Sequence, residues 1–340
     1  MTDKDEVAGL LVTGGAGFIG SNFVRYLARV NPQAKVVVLD KMTYAANPHN
    51  LDGLSRKPIV IRGDICDSSL VEQIVEQHHI NGIIHFAAES HNDNSIRDAA
   101  PFIHTNVYGT YVLLEAARRH DLRFHHVSTD EVFGDTSVED VTKFDESSPY
   151  RPSSPYSATK AASDHLVRAW WRTYGTRVTI TNSSNNYGPF QHVEKFIPRQ
   201  ITNILTGHRP KLYGQGEDVR DWLSVEDDCR AIWDVYRRGR LGQTYLVGAD
   251  NRLSNLAVVR MILAMMNRPL DEVEFVRDRP GADRRYAIDA SKIRRELGWK
   301  PLQADFAESL EATIEWYKRH ESWWMPAKQT TELRYRQEGH

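Results

Sequence analysis

Gly9-Leu10-Leu11-Val12-Thr13-Gly14-Gly15-Ala16-Gly17-Phe18-Ile19-Gly20 is the stretch on which the fold turns. A short apolar run meets a cluster of glycines, and an amphipathic stretch continues to about Val30. A strand, a glycine turn and a helix form the context that a dinucleotide-binding fingerprint requires. Glycines let the backbone approach a pyrophosphate, and the helix N-terminus offers free N–H groups and a positive dipole end. The spacing is Gly-x-x-Gly-x-x-Gly, from Gly14 through Gly17 to Gly20. Taken alone, this could equally be a tight turn rich in glycine. The next apolar run, Lys35–Asp40, ends in an acid 20 residues past Gly20. An acidic side chain there can bond the adenosine ribose hydroxyls and would repel a ribose phosphate, which favours NAD over NADP. Lys41, its neighbour, acts weakly in the opposite direction.

Outward from this unit, strands and helices alternate. Residues 58–65 read as a third strand that brings Asp64 toward the adenine, and 80–90 as a fourth that opens into a loop. A long helix from Pro101 to about His120 precedes a fifth strand, Arg123–Ser128. A helix over Pro155–Tyr174, with proline in its first turn, precedes a sixth strand, Arg177–Thr181. This alternation predicts an α/β fold: a doubly wound parallel Rossmann sheet covered on both faces. Past Tyr187 the texture changes to turns, a helix over 224–240, a strand at 243–247 that rejoins the sheet, and a helical, Trp-rich end. The expected division is residues 1–188 plus 222–250 as the NAD-binding domain. Residues 189–221 plus 251–340 then form a smaller, mainly helical lobe for the substrate. Arginines at 277–285 suit a diphosphate, since guanidinium binds phosphate bidentately, although a single arginine more often makes a surface ion pair.

Composition narrows the partners. The 340 residues carry a net charge of −2 and no basic stripe, which argues against nucleic acid or an anionic membrane surface. No apolar run has transmembrane length, and Met1–Glu6 is polar and acidic, unlike a signal peptide. The two cysteines, Cys66 and Cys229, form no framework. The expectation is a cytoplasmic protein. The 14 histidines suggest no metal: His125 and His126 point to opposite faces of a strand, and His78-His79 lack a third ligand. Trp316, Trp323 and Trp324 read as packing residues.

Residues 128–160 carry the chemistry. Ser128-Thr129-Asp130-Glu131 ends an apolar strand, and Tyr156-Ser157-Ala158-Thr159-Lys160 follows on a helix. Tyrosine and lysine four apart share one helix face. An ammonium beside a phenol stabilises the phenolate, so the tyrosine can exchange protons near neutral pH. Thr129 offers a hydroxyl to the same site. That trio handles the proton in a nicotinamide hydride transfer. Asp130 and Glu131 are surplus to a plain alcohol oxidation and suggest a further proton removal and a further proton donation. Tyr-x-x-x-Lys is common on ordinary helices, and Asp-Glu after a strand is commonly a solvated turn. The glycine fingerprint upstream decides for chemistry.

With Gly14–Gly20, Thr129 and the Tyr156/Lys160 pair, the chain resembles the extended short-chain dehydrogenases/reductases. Ser128–Gly134, Asp40–Tyr44, Asn185–Pro189, Arg220-Asp221-Trp222 and Asp278–Gly281 are similar to the sugar-nucleotide 4,6-dehydratase branch, over about residues 9–325. That resemblance implies dTDP-glucose as substrate and a tightly bound NAD regenerated in each turnover. It makes Tyr156 the base at carbon 4, with Lys160 holding the nicotinamide ribose and depressing the Tyr156 pKa. Glu131 becomes the base at carbon 5, and a protonated Asp130 the acid at the carbon 6 hydroxyl. It assigns the cofactor to Gly14, Gly17, Phe18, Ile19, Gly20, Asp40, Lys41, Thr43, Asp64, Ile65, Ala87, Ala88, Ser90, Thr105, Tyr156, Lys160 and Asn186. It assigns the substrate to Ser90, Thr129, Asn185, Glu194, Lys195, Lys211, Tyr213, Arg220, Asn255, Arg279 and Tyr286. It also implies a homodimer formed through the helices near 101–120 and 155–174. The chain departs from the pattern at Asn92 and Asn94, where many members have valine and arginine, and at Ala282, where members usually have histidine. Related 4-epimerases keep the hydroxyl residue, tyrosine and lysine without the acidic pair. The bases of a thymidine and a uridine carrier, thymine and uracil, differ by one methyl, about 1 kcal/mol. A non-catalytic dinucleotide sensor on the same fold would have no reason to keep all five reactive residues together.

Overall fold

A computed structural model describes residues 9–137, 140–277, 283–303 and 305–337. Its first half is built of β1 (Gly9–Thr13), α1 (Phe18–Val30), β2 (Lys35–Asp40), β3 (Ile59–Arg62), α2 (Ser68–His78) and β4 (Gly82–His85). There follow α3 (Asn92–Arg97), α4 (Ala100–Phe102), a π-helical segment Ile103–Gly109, α5 (Thr110–Arg119) and β5 (Arg123–Thr129). A single 3₁₀ turn, Asp130–Phe133, leads on to α6 (Pro155–Tyr174) and β6 (Val178–Ser183). The second half contains β7 (Asn185–Tyr187), α7 (Phe196–Leu205), β8 (Lys211–Tyr213), β9 (Val219–Ser224), α8 (Val225–Arg238) and β10 (Thr244–Val247). It closes with β11 (Arg252–Ser254), α9 (Asn255–Met265), β12 (Glu274–Val276), α10 (Ser291–Leu297), α11 (Phe306–Arg319) and α12 (Glu321–Gln337).

Seven parallel strands form the main sheet in the order β10-β6-β5-β4-β1-β2-β3. The Rossmann expectation holds. The order reverses between β1 and β4, so a crevice opens at their carboxyl ends, where ligands of such sheets bind. The apolar runs are long because both faces are covered. Alternate residues face opposite ways. Leu11, Val37, Leu39, Ile83, Phe124 and Ile180 pack under α2, α5 and α6, while Leu10, Val12, Val38, Ile84 and Val127 pack against α1 and α8.

Helix α6 has the bounds read from the sequence, and local chemistry explains why. Ser154 caps its start in a reciprocal pair with Ser157, Pro155 fills the first turn, and Gly175 at φ 70° ends it. The single helix expected from Pro101 to His120 is instead broken by the π-helical segment. There Asn106 turns inward: its amide donates to Glu89 O at 3.0 Å and Thr159 Oγ1 at 2.9 Å, and its Oδ1 accepts from Glu89 N at 2.8 Å.

Three buried imidazoles cross the middle of the sheet. His85 lies between Thr13 Oγ1 at 2.8 Å and Thr110 Oγ1 at 3.0 Å. His125 meets Thr179 and Thr181 on β6 at 2.9 and 3.2 Å, and His126 Nε2 lies 3.3 Å from Asp164 Oδ1. Burial pushes all three below the ordinary histidine range, His126 to about 4.

The lobe has its own core, in which Val193, Ile197, Val258, Ile262, Phe306, Ile314, Tyr317 and Trp324 meet, with Trp316 and Trp323 against them. Two small sheets, β11-β9-β7 and β12-β8, accompany its helices. The segment Ala290–Trp299 packs onto Leu223, Ala231, Tyr245 and Val247, against the main sheet. Among the described residues no helix is long and apolar enough to cross a membrane. Cys66 and Cys229 are free thiols.

Candidate active site

The crevice at the sheet's switch point is a cleft of about 310 Å³. Its floor is the glycine turn. Gly14, at φ 69°, donates its N–H to Leu39 O at 2.9 Å, which ties β1 to β2. A Cβ on Gly20 would stand 2.3 Å from Gly14 O, so α1 can approach the strand this closely only with glycine there. Asp40 closes the turn from the side: Oδ2 accepts from Ala16 N and Oδ1 from Met42 N, both at 2.9 Å. Lys41 is not free to greet a ribose phosphate, since its Nζ lies 2.7 Å from Asp64 Oδ2. The expected cofactor residues Gly14, Gly17, Phe18, Ile19, Gly20, Asp40, Lys41, Thr43, Asp64, Ile65, Ala87, Ala88, Ser90, Thr105, Tyr156, Lys160 and Asn186 all line the cleft. Along one wall the buried oxygens Ser184 Oγ, Asn185 Oδ1 and Asn186 Oδ1 have no hydrogen-bond partner among the described residues. A cradle too tight for a Cβ, an acid at the end of β2 and orphaned polar atoms fit a dinucleotide.

The reactive groups meet at the other end. Thr129 ends β5 and caps the 3₁₀ turn, its Oγ1 accepting from Glu131 N at 3.3 Å and lying 3.4 Å from Asp130 Oδ1. That turn brings Asp130 and Glu131, adjacent in sequence, into the same cleft as Tyr156 and Lys160. Asp130 is 2% exposed and its Oδ2 has no hydrogen-bond partner among the described residues. Burial, then the charges of Glu131 and Asp221, push its carboxyl well above the usual range, against a smaller pull from Arg220. Burial also raises Glu131, opposed by a hydrogen bond from Asn92 Nδ2 at 3.0 Å.

Tyr156 behaves differently from the expectation that Lys160 depresses its pKa. Burial, Glu131 and Asp130 push the phenol up, and the hydrogen bond with Thr129 pulls it partly back. The reason is where the lysine goes: Lys160 Nζ donates to Val127 O at 2.8 Å. Desolvation lowers that ammonium to about 8, with Asp164 acting to keep it charged. Burial alone would raise Asp164, but His126, Lys160 and Arg168 hold it near 2. Tyr150 and Asn182 add hydrogen bonds to its Oδ2 at 2.7 and 3.0 Å.

Of the expected substrate residues, Ser90, Thr129, Asn185, Glu194 and Lys195 line the cleft. Lys195 Nζ donates to Ser90 O at 2.8 Å, and buried Glu194 is met by Arg334 at 3.3 Å and His91 at 3.6 Å. Arg220 and Tyr286 sit behind this wall, the guanidinium 4.4 Å over the tyrosine ring and bonded to Asp283 O at 2.8 Å. Lys211, Tyr213 and Asn255 are not on the wall. Lys211 lies 3.5 Å from Glu274, Tyr213 pairs with Val276 between β8 and β12, and Asn255 opens α9. Arg279 and Ala282 lie outside the described residues.

Several residues of the site escaped the sequence reading. Glu89, Gln191 and His192 line the cleft, and Asn92 holds Glu131. No local pattern marks them. Asp164 did carry a signal, since it lies four residues beyond Lys160 on the same helix face.

A cleft of this construction, at this edge of this sheet, belongs to a Rossmann-type dinucleotide enzyme of the short-chain dehydrogenase/reductase class. Within that class the chain belongs to the GDP-mannose 4,6 dehydratase family, whose sequence profile matches residues 11–313. It is 53% identical over 330 residues to a dTDP-glucose 4,6-dehydratase of Mycolicibacterium smegmatis, covering 97% of this chain and 99% of the relative. It is 47% identical to dTDP-glucose 4,6-dehydratase 1 of Escherichia coli, covering 92% of this chain and 94% of that one. The crystal structure of DesIV, the dTDP-glucose 4,6-dehydratase of Streptomyces venezuelae with NAD and TYD bound, superposes with a TM-score of 0.89. It shares 45% identity and covers 94% of this chain and 99% of its own.

Proposed function

We propose that this chain is an NAD-dependent sugar-nucleotide 4,6-dehydratase that converts dTDP-glucose to dTDP-4-keto-6-deoxyglucose and water. The observation that carries this reading is the placement of Asp130 and Glu131, both in the cleft beside Tyr156, with burial pushing the Asp130 carboxyl well above the usual range. The Gly14–Gly20 turn and Asp40 would hold NAD, which when bound would supply a hydride acceptor for carbon 4 and a hydride donor for carbon 6. The remaining steps belong to side chains. Tyr156 takes the proton of the carbon 4 hydroxyl, and Thr129 orients that hydroxyl. Lys160 keeps a positive charge at the nicotinamide end. The new carbon 4 ketone acidifies carbon 5, and Glu131 removes its proton. Asp130 protonates the departing carbon 6 hydroxyl, which leaves as water. Carbon 5 then recovers a proton from Glu131. Asp130 is pushed further up than Glu131, which Asn92 and Arg220 pull back, and such a difference between neighbouring carboxyls is the usual division between acid and base.

The finer assignments follow the same reading. Lys195, Arg220 and Arg279 serve the diphosphate, with Lys211, Tyr213, Asn255 and Tyr286 toward the nucleotide. The lobe of 189–221 plus 251–340 carries these contacts, while 1–188 plus 222–250 holds NAD. Ile103, Tyr108, Tyr111 and Tyr174 are exposed apolar residues on the helices near 101–120 and 155–174, which supports a homodimer through that face. Free thiols suit a reducing cytoplasm.

The test is to incubate the purified protein with dTDP-glucose and no added NAD, then follow ketosugar absorbance in alkali and product mass. Loss of one water, abolished in Glu131→Gln and Tyr156→Phe, supports the reading. Unchanged mass with formation of the galactose epimer refutes it.

A further inference from the structure

Glu131 is not held by the reacting groups around it. Among the described residues the one hydrogen bond to its carboxylate comes from Asn92, the first residue of α3, whose Nδ2 lies 3.0 Å from Oε2. The Asn92 side chain is fixed from its other end as well, since Ser154 Oγ lies 3.0 Å from its Oδ1. Ser154 Oγ accepts from Ser157 N at 3.1 Å, so its own proton is available for Oδ1. That leaves the NH₂ group, which only donates, facing a carboxylate, which only accepts. The Asn92 carbonyl in turn accepts from Ser95 Oγ at 2.7 Å, which pins the residue at the start of α3. The result is a line from the N-cap of α6, the helix that carries Tyr156 and Lys160, through Asn92 to Glu131.

We propose that Asn92 is the positioning residue for Glu131: its amide fixes one carboxylate oxygen, leaves Oε1 for the carbon 5 proton and favours the unprotonated form. This deepens the dehydratase reading and rests on it. The step served is removal of the carbon 5 proton. Its bonding pair forms the carbon 5–carbon 6 double bond, and the carbon 6 hydroxyl leaves with the proton of Asp130 as water. Other groups face Glu131 too. Asp130 lies beside it on the same turn, Tyr156 on α6, Lys195 before α7, Arg220 on β9, and Asp283 and Tyr286 on the segment behind the cleft. Lys195 and Arg220 favour the anion and Asp283 opposes it, so Asn92 works with two cations against burial. Those cations reach Glu131 through their charge, whereas the amide also sets the direction of the carboxylate.

Two substitutions separate donor from scaffold. Asn92→Val removes both hydrogen bonds. Asn92→Asp keeps size and the acceptor for Ser154 but replaces the donor with a second carboxyl. If the donor matters, the acid limb of kcat moves to higher pH by about one unit in Asn92→Val and further in Asn92→Asp. The loss is largest at low pH, about tenfold, and shrinks as the pH rises. In single turnovers, deuterium uptake at carbon 5 from D₂O slows while oxidation at carbon 4, read by nicotinamide absorbance, persists. An infrared titration reads the same group without turnover. The protonated carboxyl band that disappears in Glu131→Gln titrates at higher pH in both variants. An unmoved acid limb and unmoved band overturn the proposal. So does a loss that is equal at every pH and includes carbon 4 oxidation, which marks a structural role. If the wild type removes no water from dTDP-glucose, the underlying reading fails, and that failure is visible without any variant. The infrared titration still decides whether Asn92 governs Glu131.

Discussion

Replacing Asp130 by asparagine preserves the shape of a protonated carboxyl and exchanges its acidic O–H for an amide that cannot give up a proton. Asp130 is 2% exposed, and among the described residues Oδ2 has no hydrogen-bond partner and Oδ1 has only a 3.4 Å contact with Thr129. Burial, with Glu131 and Asp221 beside it, holds the folded-state pKa well above that of the unfolded chain. The folded protein therefore binds this proton more tightly than the unfolded one. The stability it contributes is full below the ordinary aspartate range and declines as pH rises toward the folded-state value. The decline is about 1.4 kcal/mol per pH unit. Asparagine cannot titrate, so Asp130→Asn escapes this decline and is at least as stable as wild type at pH 8. Its turnover falls by roughly 10²–10⁴, the range for loss of a general acid, because the carbon 6 hydroxyl departs unassisted. Urea unfolding at pH 5 and pH 8, with ketosugar formation and single-turnover nicotinamide absorbance, reads both sides. Carbon 4 oxidation survives while water loss does not. Destabilisation of the variant by more than about 2 kcal/mol at pH 8 would refute the reasoning, since a native carboxylate anion would then have been stabilising. Wild-type turnover would refute it as well.

Other outcomes follow from the same geometry. Gly20→Ala must move α1 back by about 0.7 Å to relieve its contact with Gly14 O, at a cost of roughly 1–3 kcal/mol. The variant is expected to be purified with little NAD, as measured by acid release of the nucleotide, and with a lower Tm. NAD refills the apoprotein at least about a hundredfold better than NADP, because the carboxylate of Asp40 at the end of β2 would repel a ribose phosphate and Lys41 is paired with Asp64. Calorimetric titration with each nucleotide checks this, and Asp40→Ala narrows the ratio. Ile103→Glu with Tyr111→Arg turns two exposed apolar residues into charges. Under the proposed homodimer, sedimentation equilibrium is expected to show a dimer for the wild type and a monomer for the variant.

The sheet was legible because each of its central strands is buried on both faces and so reads as an unbroken apolar run. Helix α6 was legible to the residue because its ends carry their own chemistry, Ser154-Pro155 at one and Gly175 at the other. The π-helical segment was not, since Ile103–Gly109 has the composition of an ordinary helix and its widened turn is set by Asn106 reaching Glu89 and Thr159. In the site, spacing alone marked the glycine turn and Asp40, both of which line the cleft. The Asn92–Glu131 and Arg220–Tyr286 contacts join segments far apart in the chain, and no local pattern encodes them. The Lys160–Tyr156 case shows a different limit. Spacing placed both on one face, but a long flexible stem let the ammonium seek the Val127 carbonyl.

The imidazoles of His85, His125 and His126 set an acid boundary for the whole molecule. Each is neutral in the folded protein because burial disfavours its charged form. Their folded-state pKa values lie below those of the unfolded chain, so their contribution is intact above the ordinary histidine range and erodes as pH falls beneath it. Each histidine that must stay neutral then costs about 1.4 kcal/mol per pH unit. Three of them across β4 and β5 make acid unfolding steep and begin it at the centre of the sheet. A pH profile that falls toward acid therefore combines two events, protonation of Glu131 and the melting of its support. The second is recognisable because it takes the near-ultraviolet signal of the tryptophans with it.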